Sequence, residues 1–277
     1  MNTMTTLNQH GSGLAPSIEK QVQTIAARLY NKLGGRGLDV GGLMEDLISK
    51  LEIDVLYYDF NQPGVEGKTI HGIYLRSQES EQRRHKIVVN ANDDEKTQNF
   101  TLAHELFHHL LMEDQSSKLA QLLTNEEWLE RAGDYFAACF LMNSEKFKKT
   151  YNFLRKQNSD AELIWKLSDA FITPYESVVR RLVELELLSE EDSHLLDLKE
   201  EDYAKMRTEN LGPSVLDAPS QKSVFQPYVN IIVKRLENGD LTYMEAIKRL
   251  NRVNPKKAQE IQEKHQKKMD EWDDDED

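Results

Sequence analysis

A chain of 277 residues, 39% hydrophobic and 30% charged, can build one large domain or a medium domain with a smaller companion. Its formal charge of −13 argues against direct nucleic-acid binding, because neutralising phosphates supplies most of that affinity. No apolar run approaches the roughly 20 residues of a membrane helix, the polar start Met1–Ser17 lacks the pattern of a secretory signal, and the lone Cys139 excludes an internal disulfide, so a cytoplasmic protein is expected.

Residues 1–16 read as a disordered N-terminus. Ser17 can cap a helix in which Ile18, Val22, Ile25, Ala26, Leu29 and Tyr30 recur at helical spacing, with Gly34 and Gly35 as its stop. A second helix is expected over 41–51, with Leu43, Leu47 and Ile48 inward. The period then changes. Segments 53–60, 69–75 and 85–89 are rich in β-branched and aromatic residues and predict a small antiparallel sheet, with Pro63, Gly64 and Gly67 in its first loop. After Asn90 the pattern is helical: 95–112, 125–142, a helix capped by Ser144, then 159–171 and 174–187, with Thr173 as N-cap and Pro174 at the first helical position. Residues 207–224 read as a loop. Beyond them come helices at 227–237, 242–250 and after Pro255. Lysine and arginine outnumber acids from Lys222 to Lys268, and Asp270–Asp277 is almost wholly acidic; a solvated helical face followed by a disordered tail is expected.

The chemistry concentrates in TLAHELFHHLLM, residues 101–112, which contains His104-Glu105-Leu106-Phe107-His108. Histidines four apart lie one turn above each other on the same helix face and can converge on one metal ion. Glu105 is rotated about 100° from His104, which puts its carboxylate beside a metal, where it can take a proton from water. Phe100, Ala103, Leu106, Phe107, Leu110 and Leu111 are available to bury the helix. His109 points away from His108 and reads as packing or support. His71, in a strand, reads as structural, although it could reach the cleft and stabilise a tetrahedral intermediate.

A catalytic zinc ion usually has three protein ligands and one open position. Asp114 lies six residues after His108, where some zinc peptidases place a third ligand. Those enzymes turn the chain with a glycine three residues after the second histidine, and here that position is Leu111. The stronger candidates are Glu130 and Asp134, four apart in ERAGDYFAACFLM. They share a helix face, so one can bind metal while the other accepts the free N–H of a ligand histidine. Trp128, Phe136, Cys139 and Phe140 are available to pack that helix, Cys139 as an inert buried thiol. Glu126 and Glu127 suit a solvent-facing helix start.

These residues resemble the ImmA/IrrE family of metallopeptidases over about 40–190. The resemblance runs through GIYL (72–75), IVVN (87–90), FTLAHELFHHLL (100–111) and ExxxDxFAAxxLM (130–142), and weakly through FITPYESVVRRLVELELL (171–188). It implies zinc ligands at His104, His108 and Glu130, with Glu105 as the catalytic glutamate and Asp134 supporting the ligands. Phe107, Gly133 and Asn143 depart from the family's usual glycine, alanine and proline, but none of them removes a ligand.

The fold expected is α+β: a small antiparallel sheet packed on a mostly helical, zincin-like core, followed by a helical C-terminal region. The expected organisation is a disordered N-terminus (1–16), a metallopeptidase core (17–145), a helical region with a helix-turn-helix-like pair (146–206), a linker (207–224), a C-terminal helical region (225–269) and an acidic tail (270–277). The resemblance implies a zinc-dependent endopeptidase acting on a protein substrate, a helix-turn-helix transcriptional repressor of stress-response or mobile-element genes. The competing reading is a non-proteolytic binding module that keeps the fold. It would use the helix pairs at 159–187 and 227–250, for which simple helix packing is the plainer account. An intact Glu105 argues against it, since binding needs no general base.

Overall fold

The computed structural model describes residues 13–34, 40–60, 69–76, 85–188, 197–220, 222, 226–251 and 253–274. The expectations for residues 1–12, Gly35, the loop with Pro63, Gly64 and Gly67, positions 221 and 223–225, and 275–277 lie outside the described residues. The chain divides into two compact units, 1–55 with 60–220 and 56–59 with 221–277. Among the described residues no helix is long and apolar enough to cross a membrane.

The first unit opens with α1 (Pro16–Leu33), whose Ile18, Val22, Ala26, Leu29 and Tyr30 are buried as their spacing predicts. It starts slightly earlier than a Ser17 cap would allow: Ala15 is the N-cap, and Pro16 occupies the first turn, where its missing N–H costs nothing. A 3-10 turn (Gly41–Leu43) leads into α2 (Met44–Ser49). Strands β1 (Ile53–Tyr58), β2 (Gly72–Arg76) and β3 (His85–Asn90) form a sheet in the order β1-β3-β2. The α+β arrangement is as expected, and the sheet is mixed, with β2 and β3 its antiparallel pair. That order leaves β2 at an edge.

The core helix is α3 (Glu95–Glu113), started by Asp94, whose carboxylate accepts the Thr97 N–H at 2.9 Å. It packs against β2 and β3 on one side and α5 (Glu126–Leu141) on another, after the short α4 (Lys118–Leu122). Ala103, Leu106 and Phe107 are fully buried, while Phe100, Leu110 and Leu111 are only partly so. The helix also buries polar residues. Lys96 pairs with Asp169 at 3.0 Å and Asp217 at 2.7 Å and lies over the Tyr175 ring, while Asn99 donates to the Ile172 carbonyl at 2.8 Å. Buried charges persist where they are paired, and these pairs tie α3 to the segments that follow. On α5, Phe136, Cys139 and Phe140 are buried as expected; Trp128, in the first turn, is 46% exposed and does not pack the helix.

Helices α6 (Ser144–Leu154), α7 (Asp160–Phe171), α8 (Tyr175–Glu184) and α9 (Glu200–Leu211) bury a shared cluster that includes Phe147, Trp165, Phe171, Tyr175, Val178 and Tyr203. The start of α8 differs from the Thr173 cap. Thr173 is buried and Pro174 is the N-cap, while the Glu200 carboxylate accepts the N–H groups of Tyr175 and Glu176, each at 3.0 Å. Glu176 returns a bond to the Glu200 N–H, so two helix starts satisfy each other's orphan donors. Helix α9 also takes the first part of the expected linker. After Gly212 (φ 83) the chain leaves the helix, but Ser214 bonds Asp169, and Asp217 holds Lys96 and the Tyr175 hydroxyl, so this segment packs on the first unit rather than bridging away from it.

The second unit contains α10 (Gln226–Glu237), α11 (Tyr243–Leu250) and α12 (Pro255–Asp274). Val229, Ile232, Leu241, Ala246, Leu250, Ala258 and Ile261 form its core. Thr242 caps α11 in a reciprocal box with Glu245. Helix α12 continues into the acidic segment as far as Asp274, where a disordered tail was expected.

Candidate metal centre

His104 and His108 project from consecutive turns of α3, and Glu130 reaches them from the first half of α5. Their ligating atoms lie within 4.8 Å of one another. His104 Nε2 is 3.0 Å from His108 Nε2 and 3.3 Å from Glu130 Oε2, and His108 Nε2 is 3.4 Å from Glu130 Oε1. Donors held about 2.0–2.1 Å from a tetrahedral metal stand about 3.3 Å apart, so the three residues match the donor set and spacing of a divalent transition-metal site. Both imidazoles are largely buried and Glu130 is about half exposed, which leaves the open side toward solvent.

The supports follow from the helix period. Asp134, one turn beyond Glu130, accepts the His104 Nδ1–H at 2.9 Å, which turns the Nε2 lone pair toward the other donors. Arg180 stands 3.8 Å from the other Asp134 oxygen, an exposed contact of little energetic weight. Gly133 lies between these two acids, and a Cβ there would come 2.8 Å from His104 Cε1. The ring therefore rests against bare backbone, and the alanine usual in the resembled family would have to shift it. Asp134→Asn is expected to weaken metal affinity about 10–100-fold without unfolding the protein, as is usual for a group that orients a ligand histidine. Unchanged affinity in a chelator-competition titration would remove Asp134 from the site.

The electrostatics distinguish the members. Burial opposes charge on His104, but the hydrogen bonds and negative charges of Asp134 and Glu130 outweigh it and raise its pKa to about 10. Burial and the neighbouring His104 charge hold His108 low, so the pair carries a single positive charge, on His104, in the metal-free form. The His104 hydrogen bond lowers Glu130. Glu105, nearly fully buried, is pushed by desolvation up to about 7, against the pull of His104. A carboxyl group with that pKa can both take and return a proton near neutral pH.

Tyr74 was missed by sequence reasoning. Its backbone N–H donates to the Glu105 carboxylate. The β2–β3 register explains why this N–H is available. The Asn90 N–H donates to the His71 carbonyl, so Ile73 and Leu75 also turn their polar groups toward β3, while Gly72, Tyr74 and Arg76 turn theirs outward. Gly72 permits the close approach, since a Cβ there would meet Thr101 Cγ2 at 2.3 Å and Glu105 Cγ at 3.3 Å. Because the contact uses main chain, no residue type signals it.

The other candidates fall outside. Asp114 is the exposed C-cap of α3 and accepts a hydrogen bond from Ser116 at 3.1 Å. The His71 ring is half exposed and held by Asp93 at 2.8 Å, an interaction that raises its pKa. His109 is buried on another face, and desolvation lowers its pKa to about 4.

Residues 48–183 match the family model described as the IrrE N-terminal-like domain, Peptidase_M78. That span holds both histidines, Glu105, Glu130 and Asp134. A search of curated proteins finds no match.

Proposed function

From a chain that belongs to the Peptidase_M78 family, we propose a zinc-dependent endopeptidase that cuts a helix-turn-helix repressor at one or very few sites. The observation that carries this reading is the convergence of His104, His108 and Glu130 beside a buried Glu105. Two imidazoles and one carboxylate suit zinc better than the harder, oxygen-seeking calcium or magnesium ions. Zinc in that cradle would supply Lewis acidity toward water and the scissile carbonyl.

The chain's own residues do the rest. Glu105 takes a proton from the attacking water as the C–O bond forms, and returns it to the amine nitrogen as the C–N bond breaks. The Tyr74 N–H orients that carboxylate, and Asp134 orients His104. Apart from the Tyr74 N–H, which Glu105 takes, the outward-facing groups of the β2 edge lie on the Glu105 side, so an extended substrate segment can pair with these and present its carbonyl to the site. Main-chain pairing gives affinity and little selection, so selection falls to the helices after residue 144, which can dock a folded partner, and general digestion of proteins is not expected.

The test mixes metal-loaded protein with candidate helix-turn-helix repressors, with the Glu105→Gln variant in parallel, and reads fragments by mass spectrometry. One or a few cuts in a single repressor, with release of its operator DNA and little casein digestion, is the expected result. Efficient, unselective casein digestion would refute the restricted specificity. A repressor that leaves its DNA uncut would favour the binding-module reading.

A further inference from the structure

We propose that His85, His109 and Glu113 form a second site for a divalent transition-metal ion, separate from the one built on His104, His108 and Glu130. Their ligating atoms also lie within 4.8 Å of one another. His109 and Glu113 are four apart on α3 and so share a face, about 100° around the helix from His108. His85, the first residue of β3, completes the set from the sheet, with Nε2 3.5 Å from Glu113 Oε1. The His85 and His109 rings meet edge to face with centroids 4.7 Å apart.

The supporting contacts are those of a ligand site. The Tyr74 hydroxyl is 2.5 Å from His85 Nδ1 and 3.3 Å from His109 Nδ1. With its Nδ1–H donated to that oxygen, His85 directs an Nε2 lone pair toward Glu113, the arrangement a metal-binding histidine needs. Two imidazoles and a carboxylate select zinc-class ions over calcium and magnesium. Glu113 is half exposed, so an ion can enter without opening the core. Arg76, opposite His85 in the β2–β3 register, adds a positive charge that His109 feels. This makes the second site the weaker of the two. An ion there would join the first residue of β3 to the end of α3. Tyr74 connects the two sites, with its phenol on the His85–His109 pair and its main-chain N–H on Glu105.

The experiment titrates zinc into the chelator-stripped full chain, with a chromogenic chelator in competition and thermal melting followed in parallel. Two equivalents of unequal affinity are expected. The double variant His104→Gln/His108→Gln should keep only the weaker one, and zinc should still raise its melting temperature, since an ion that binds only the folded form stabilises it. Glu113→Gln and His85→Gln should each weaken the second equivalent by about tenfold or more and leave the tighter one in place. Glu113 is exposed enough for its variant to fold, so that variant decides if His85→Gln does not. A single equivalent in the unaltered chain, with no zinc-dependent shift in the double variant, would overturn the proposal. So would a second equivalent that persists unchanged in Glu113→Gln, since the ion would then lie elsewhere.

Discussion

Glu105→Gln is expected to lower peptide-bond hydrolysis by about 10²–10⁴-fold, the usual contribution of a positioned proton-transfer group. It should leave metal content and fold intact. Glutamine keeps the volume of the buried side chain, and its amide oxygen can still accept the Tyr74 N–H, but it cannot take a proton from water. The loss should therefore fall on kcat, with substrate binding nearly preserved. The measurement is single-turnover cleavage of a substrate repressor, with metal counted in the same sample. Full activity in this variant would sink the mechanism. Lost activity together with lost metal would show that the substitution had damaged the cradle instead.

Alanine at His104, His108 or Glu130 is expected to remove the tightly held metal equivalent and, with it, all cleavage. Three protein donors are the minimum for a catalytic site of this kind, and two leave the ion to solvent. Asp114→Ala should keep that equivalent. The opposite pair of results, full occupancy in Glu130→Ala and loss in Asp114→Ala, would reassign the third ligand. The pKa of His104 gives the pH dependence its sign. Held up to about 10 by Asp134 and Glu130 against its burial, His104 is protonated at neutral pH in the metal-free form. Metal must displace that proton, so affinity should rise with pH below about 10, by roughly tenfold per unit while one proton is released. Proton release on metal addition, followed by calorimetry in buffers of different ionisation enthalpy, would measure it directly. Affinity that does not change with pH would mean that His104 is neutral before the metal arrives.

Much of the fold was legible because its signals are local. The apolar spacing of α1, the change of period into β1–β3, and the extents of α3, α5 and α7 all follow from contacts between residues a few positions apart. The differences cluster where a partner comes from far along the chain. Thr173 has the chemistry of a cap, but Glu200 takes that role at α8, and Thr173 is buried instead. Lys96 carries a charge that is almost never fully buried unless it is paired. It is buried because Asp169 and Asp217 converge on it, and no local period encodes that. His109, by its spacing alone, reads as packing or support. It is buried, and only the placement of β3 beside α3 brings His85 to it.

The candidate site divides in the same way. The sequence by itself determined that His104 and His108 share a face with Glu105 beside them, and that Glu130 and Asp134 share another. Those relations depend only on 3.6 residues per turn, which every α-helix keeps. The tertiary structure decided that the two faces meet, that Glu130 rather than Asp114 stands with the histidines, and that Asp134 bonds His104. It also decided that the edge of β2 turns a main-chain N–H onto Glu105. These relations depend on the packing of α3 between the sheet and α5, and the Tyr74 contact belongs to the backbone, which is the same for every residue type and so leaves no mark in the sequence.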